Sequence, residues 1–120
     1  MATPRFQSVD DYLASLDPVK AATLRTVLEG LLEDFPELQA KISWKVPMLH
    51  RDGKYVAGVA AFAKHLTFAP WSPHVIAAFK PRLSKYVVRQ NLFQVPVDWK
   101  PDRPLLKAMV KARLAELDAE

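Results

Sequence analysis

The chain has 120 residues, half of them hydrophobic and a quarter charged, with 17 Lys and Arg against 13 Asp and Glu. A chain of this size can bury about two-thirds of its unfolded surface, so a core needs no staples. It has no Cys and only three Gly, which excludes disulfide frameworks, thiolate nucleophiles, Cys-based zinc sites, phosphate-cradling Gly-rich loops and dinucleotide fingerprints. No apolar run approaches the ~18 residues of a membrane span. Met1 to Ser8 lacks the apolar stretch of a signal peptide, so a cytoplasmic location is expected.

Ser8 followed by Asp11 reads as a capped helix start, with Val9, Tyr12, Leu13 and Leu16 at helical spacing. Asp17-Pro18 repeats the signal, and a second helix is expected to about Asp34. Its stripe is Leu24, Val27, Leu28, Leu31 and Leu32, and Phe35-Pro36 ends it. Residues 42–49 alternate, with Ile42, Trp44, Val46 and Met48 on one side, which predicts one strand with a buried face. Pro47 has no N–H to donate, so that strand is expected at a sheet edge or bulged. Asp52-Gly53 marks a hairpin turn, and Tyr55 to Phe62 is the returning strand, with Ala57, Gly58, Ala60 and Ala61 small on both faces. Leu66 and Phe68 alternate with His65, Thr67 and Ala69 in a third strand. Ser72-Pro73 opens a helix to about Leu83, and residues 92–95 form a short strand. Pro96 to Pro104 is a loop, and the last helix starts near Asp102–Pro104, carrying Leu106, Met109, Val110, Arg113 and Leu117. No repeat or linker divides the chain, so one domain over residues 1–120 is expected.

Charge is unevenly spread. Residues 1–40 carry three basic and seven acidic side chains, residues 41–63 four and one, and residues 64–100 six and one. A basic middle tolerates anions. The cations stand singly rather than in a run and no nucleic-acid motif is present, so nucleic acid is not the expected partner.

Three stretches together resemble the YdhG-like family of small bacterial proteins (domain of unknown function 1801). They are Lys41-Ile42-Ser43-Trp44-Lys45-Val46-Pro47-Met48 with the Asp52-Gly53-Lys54 turn, Ala60-Ala61-Phe62-Ala63-Lys64-His65-Leu66-Thr67-Phe68, and Phe93-Gln94-Val95-Pro96. The match runs from about Val9 to Leu117. The family's first stretch usually reads Ile-Ser-Trp/Tyr-Gly-Met-Pro, and Lys45 and Val46 depart from it. The resemblance implies an α+β fold comparable to frataxin: an antiparallel sheet of about four strands with helices on one face, in the order α-α-β-β-β-α-β-α. It also implies that at least one relative is a frataxin-like intracellular iron chaperone. It supplies no catalytic residues.

Four kinds of chemistry are open to these residues. Iron takes carboxylates; Glu29 and Glu33 share a helix face, with Asp34 and Glu37 nearby, although like charges at that spacing are common on solvated faces. His50, His65 and His74 show no i, i+4 metal pair and read as hydrogen-bonded structural groups. No nucleophile elbow is present, so a non-enzymatic protein is expected. The fourth set is aromatic and cationic: Lys41, Trp44, Tyr55, Trp71, Ser72 and His74. A helix start at Ser72 offers free N–H groups, and with the small residues 57–61 the set would make a pocket for a small anionic or aromatic ligand.

The expected function is therefore a binding domain without a cofactor, its partner a small anionic ligand or a protein. An iron-carrying relative of frataxin and an enzyme with an unrecognised site are the alternatives. The sheet edge at Pro47 and the apolar side of the first helix are the expected contact regions, with a homodimer among the partners considered.

Overall fold

The computed structural model describes residues 8–43 and 45–119. Helices begin where a short polar side chain precedes Pro or an apolar stripe. In α1, Val9–Ala14, the Ser8 hydroxyl accepts the Asp11 N–H at 3.1 Å. In α2, Pro18–Asp34, the Asp17 carboxylate accepts from Val19 and Lys20. Those N–H donors hold the Asp17 pKa below its ordinary value. The chain then forms β1 (Gln39–Ser43), β2 (Val46–Arg51), β3 (Lys54–Ala61) and β4 (Leu66–Ala69). Helix α3 (Pro73–Phe79) passes into a 3-10 turn at Lys80–Leu83, where Pro81 cannot continue an α-helical ladder. Strands β5 (Val87–Val88) and β6 (Phe93–Val95) follow, and α4 (Arg103–Asp118) closes the chain from an Asp102 cap.

The fold is α+β: one antiparallel sheet in the order β1-β2-β3-β4-β6-β5, with four helices sharing a core on one face. Six strands stand where four were expected. One addition is β5, two residues too short to show a period in sequence. The other comes from a reversal inside 42–49. There is no single strand there: β1 and β2 form a hairpin with Ile42 opposite Pro47 and Lys41 opposite Met48. Ile42 packs on the core while Met48 lies on the opposite face, so the alternation read across residues 42–48 joined two strands into one. Lys45 makes the reversal at φ 67°, a left-handed conformation without the Gly or Asn that usually announces it. It is the position at which the resembling family usually has Gly.

Pro47 is not at an edge either. β2 is interior, and Pro47 pairs with β1 alone, because the β2–β3 register begins at Met48 opposite Gly58. A strand can hold Pro where one neighbour asks nothing of its nitrogen. The Asp52-Gly53 turn forms as expected, with both residues at positive φ.

Leu49, Ala57, Val59, Leu66, Phe68, Phe93 and Val95 give the sheet its buried face. The α2 stripe (Leu24, Val27, Leu28, Leu31) and the α4 stripe (Leu106, Met109, Val110, Leu117) lie in the same cluster. The apolar side of α1 is spent there too: Tyr12 and Leu13 are buried, and the Tyr12 hydroxyl accepts the Ala61 N–H at 2.9 Å. Burial pushes that phenol's pKa up. Tyr12 and Leu13 of this helix are thus committed to the core, and Val9 is partly buried against it. Between the layers, Thr23 of α2 donates to Val97 O at 2.7 Å and ties down the loop before α4. No helix among the described residues is long and apolar enough to cross a membrane.

Candidate functional site

Among the described residues, no helix lies on the second face of the sheet. Strand alternation places Lys41 and Ser43 of β1, Met48 of β2, Tyr55, Gly58 and Ala60 of β3, Thr67 and Ala69 of β4 and Gln94 of β6 on that face. A bulge between Leu49 and His50 re-aims Tyr55 onto it, opposite His50. The Tyr55 hydroxyl meets Ser43 Oγ at 2.8 Å, and the Lys41 ammonium lies 5.2 Å from the Tyr55 ring centre. On the other side, Trp71 tilts against Tyr55 with ring centres 5.2 Å apart. Met48 is buried beside Gly58: a methyl group added at Gly58 would fall 2.6 Å from Met48 Sδ.

Trp71 is held at φ 60°. For a bulky residue this conformation costs on the order of 1–3 kcal/mol, and it persists only where surroundings impose it. Those surroundings are explicit. The next residue, Ser72, accepts the Val75 N–H at 3.2 Å and donates to Glu116 Oε2 at 2.8 Å. Glu116 pairs with Arg113 at 3.3 Å, and Arg113 Nε donates to the Tyr55 carbonyl at 3.1 Å. One ion pair on α4 therefore grips both the Tyr55 backbone and the residue after Trp71. Beside Trp71 lies an open hollow of about 330 Å3, lined by Ala69, Trp71, Pro73, Asn91 and Leu92.

Of the aromatic and cationic set, the fold brings Lys41, Tyr55, Trp71 and Ser72 together. Trp44 lies outside the described residues. His74 is exposed on α3. Ser72 is buried and fully engaged as a cap. The Val75 and Ile76 N–H groups both point to Ser72, Pro73 has none, and the carboxylate at this helix start is the protein's own Glu116. The features that sequence reading missed are Ser43, Arg113 and Glu116. In sequence Arg113 is one position along the α4 stripe, and nothing there ties residues 113 and 116 to residues 55 and 72.

The carboxylates of the iron reading are spread along α2 and engaged with arginines. Glu29 pairs with Arg25 at 3.7 Å, and Arg25 also holds Asp10. Glu33 and Asp34 both pair with Arg103 of α4, Asp34 through two hydrogen bonds of 3.0 and 2.9 Å. The guanidinium holds the Asp34 pKa below its ordinary value and raises that of Arg103. Glu37 is exposed beyond the helix. No group of three or more His, Asp or Glu close enough to hold a metal occurs among the described residues. The histidines are apart: His50 Nδ1 accepts the Gly53 N–H at 3.4 Å, and His65 stacks on Phe62 with ring centres 5.0 Å apart. A cavity of about 470 Å3 between α1, α2 and β1 is walled by Val9, Asp10, Arg25, Leu28, Glu29 and Ile42.

The fold is an α+β fold similar to that of a YdhG protein. A crystal structure of YdhG, a protein of the domain of unknown function 1801 family from Bacillus subtilis, matches with a TM-score of 0.84 and 27% identity, covering 91% of this chain and 90% of that one. The chain is also 28% identical over 109 residues to the intracellular iron chaperone frataxin of Bacillus subtilis (strain 168), 88% of each chain being covered. An uncharacterized conserved protein from Lactobacillus casei ATCC 334 shares the fold alone, with a TM-score of 0.57 and 19% identity over 92% of this chain and 93% of that one. No family model matches the sequence. The family resemblance carried by residues 41–96 thus extends over about nine-tenths of the chain in structure.

Proposed function

We propose that the protein is a non-enzymatic binding domain that takes its ligand on the open sheet face around Trp71. The observation that carries this is Trp71 itself: an exposed aromatic, held in a strained conformation between the Lys41–Tyr55 pair and an open hollow. Strain of this kind concentrates where a side chain must be presented. An aromatic wall beside an apolar hollow, with a cation beyond the neighbouring Tyr55 ring, suits a planar ligand whose acidic group reaches out of the hollow. A thermal-shift panel of benzoate, salicylate and phenyl phosphate tests it, because binding to the native state raises the melting temperature. At least one compound is expected to raise it for the parent protein, and Trp71→Ala is expected to lose that shift. A flat response across the panel at millimolar concentration removes the small-ligand reading.

Iron carriage is the second reading, favoured by the similarity to the Bacillus subtilis iron chaperone. Its residues are Glu29, Glu33, Asp34 and Glu37, and metal would have to displace Arg25 and Arg103 from the first three. Anaerobic Fe(II) calorimetry decides it: heat that Glu29→Gln/Glu33→Gln abolishes supports the reading, and no heat at tens of micromolar protein ends it.

A further inference from the structure

Phe62, Trp71 and Val87 are 49%, 37% and 47% exposed, and all three border the open face. Val87, Gln94, Thr67 and Ala60 form one row across it. Phe62 continues β3 beyond Ala60 and stacks on His65 at an interplanar angle of 21°. Trp71 lies two residues beyond Ala69, the partner of Gly58. The two aromatic ends are thus about six strand positions apart, on the order of 20 Å. An antiparallel sheet with one solvated face ordinarily shows polar side chains there. Here the ground between the aromatic ends is Ala60, Ala69, Thr67 and Gln94, low enough to let flat groups lie on it.

Cations also stand around the sheet. Residues 41–95 hold nine Lys and Arg and one acidic residue, Asp52. Hairpin connections and their flanks carry cations: Lys45 between β1 and β2, Lys54 after the Asp52-Gly53 turn, Lys64 between β3 and β4, and Arg89 between β5 and β6. Of the helices, α1 and α2 are net acidic, with Asp10, Asp11, Glu29, Glu33 and Asp34 against Lys20 and Arg25, whereas α4 carries Arg103, Lys107, Lys111 and Arg113 against Glu116 and Asp118. The cations that stand singly in sequence therefore frame the sheet. A second copy docking face to face would bring like charges together, which opposes a symmetric dimer on this surface.

We infer that the open face binds single-stranded nucleic acid. Bases stack on Trp71 and on the Phe62–His65 pair, while the phosphates follow Lys41, Lys64 and Arg89. Stacking on aromatic rings is tolerant of base identity, so binding is weakly selective for sequence and prefers single strands, whose ring faces are free. This inference rests on the reading of the open face as a binding face.

Fluorescence anisotropy with a labelled oligothymidylate of about twenty nucleotides tests it. Micromolar binding at low salt is expected, weakening steeply as salt rises. Trp71→Ala and Phe62→Ala are each expected to weaken it about tenfold, and Lys41→Gln to weaken it and lower the salt slope by about one. A blunt duplex of the same length is expected to bind less well. Phe62 is exposed, so Phe62→Ala reports on stacking even if Trp71→Ala fails to fold. No binding at low salt overturns the inference. So does poly-glutamate or duplex binding as tightly as the oligothymidylate with Trp71 and Phe62 indifferent, which would make the face a bed for an acidic protein. If a small compound shifts the melting temperature through Trp71 while the oligothymidylate does not bind, the binding face stands and this inference alone falls.

Discussion

The two faces of the sheet are built from the same strands and differ in almost everything else. Toward the helices, Leu66, Phe68 and Phe93 are at most 1% exposed, and they continue into the Tyr86–Trp99 cluster, where the indole N–H donates to the phenol at 3.1 Å. Away from the helices, Phe62 and Val87 are about half exposed and the strands carry small side chains between them. The first face is held by area removed from water, about 25 cal/mol per Å2. The second is held by the strands themselves and by a few pinned groups, Met48 over Gly58 and the Arg113–Glu116 pair behind Tyr55 and Trp71. A face that contributes little to stability can carry a strained residue and exposed rings at small cost to the fold.

The sharpest way to break this contrast is a matched pair of truncations. Phe93→Ala on the covered face should cost about 3–5 kcal/mol in urea unfolding, whereas Phe62→Ala should stay within about 0.5 kcal/mol. Equal costs would mean the open face is a second core. Next in size, Gly58→Ala drives a methyl group against Met48 and should cost about 1–3 kcal/mol. That penalty should vanish in a Met48→Ala background, and additive effects would show that Met48 is not the obstacle. Ser72→Ala removes a cap and the Glu116 tether together and should lose about 1 kcal/mol of stability. Trp71 emission should change with it, an effect a bare capping loss would not produce. Lys45→Gly should raise stability by roughly 0.5–1 kcal/mol, because the left-handed cost of an L-residue exceeds the entropy that glycine adds to the unfolded chain.

The smallest effect belongs to the α2–α4 clamp. Asp34 has a lower pKa folded than unfolded. The stability it contributes is therefore present above its ordinary 3.8 and is lost as pH falls through the lower folded value. Arg103→Gln should flatten the acid limb of the stability profile below about pH 4 and leave the profile's shape at neutral pH unchanged. An unaltered acid limb would show that the clamp contributes nothing measurable, as exposed pairs often do.

Much of this molecule is local and was legible as such. Ser8, Asp17, Ser72 and Asp102 each start a helix because a short polar side chain satisfies N–H groups within three residues of itself. The stripes Leu24–Leu31 and Leu106–Leu117 bury the faces their spacing implies. The Asp52-Gly53 turn is where its chemistry puts it. Reading failed where a local rule was silent or broken. Lys45 takes a left-handed turn with no turn residue, so two strands looked like one, and Met48 was assigned to the wrong face. The family's usual Gly at that position was the one signal that pointed to the reversal. Two-residue β5 has no period to detect.

The sequence by itself determined the helix starts, the amphipathic stripes and the α+β class, because caps, turns and periodicity act over a few residues. Only tertiary structure decided that one sheet face stays open, that Lys41, Tyr55 and Trp71 gather there, and that Arg113 and Glu116 hold them from behind. Those contacts join positions up to 58 residues apart, as in Arg113 to Tyr55. Such distances are closed by strand pairing and by burial of the opposite face, which no local pattern encodes.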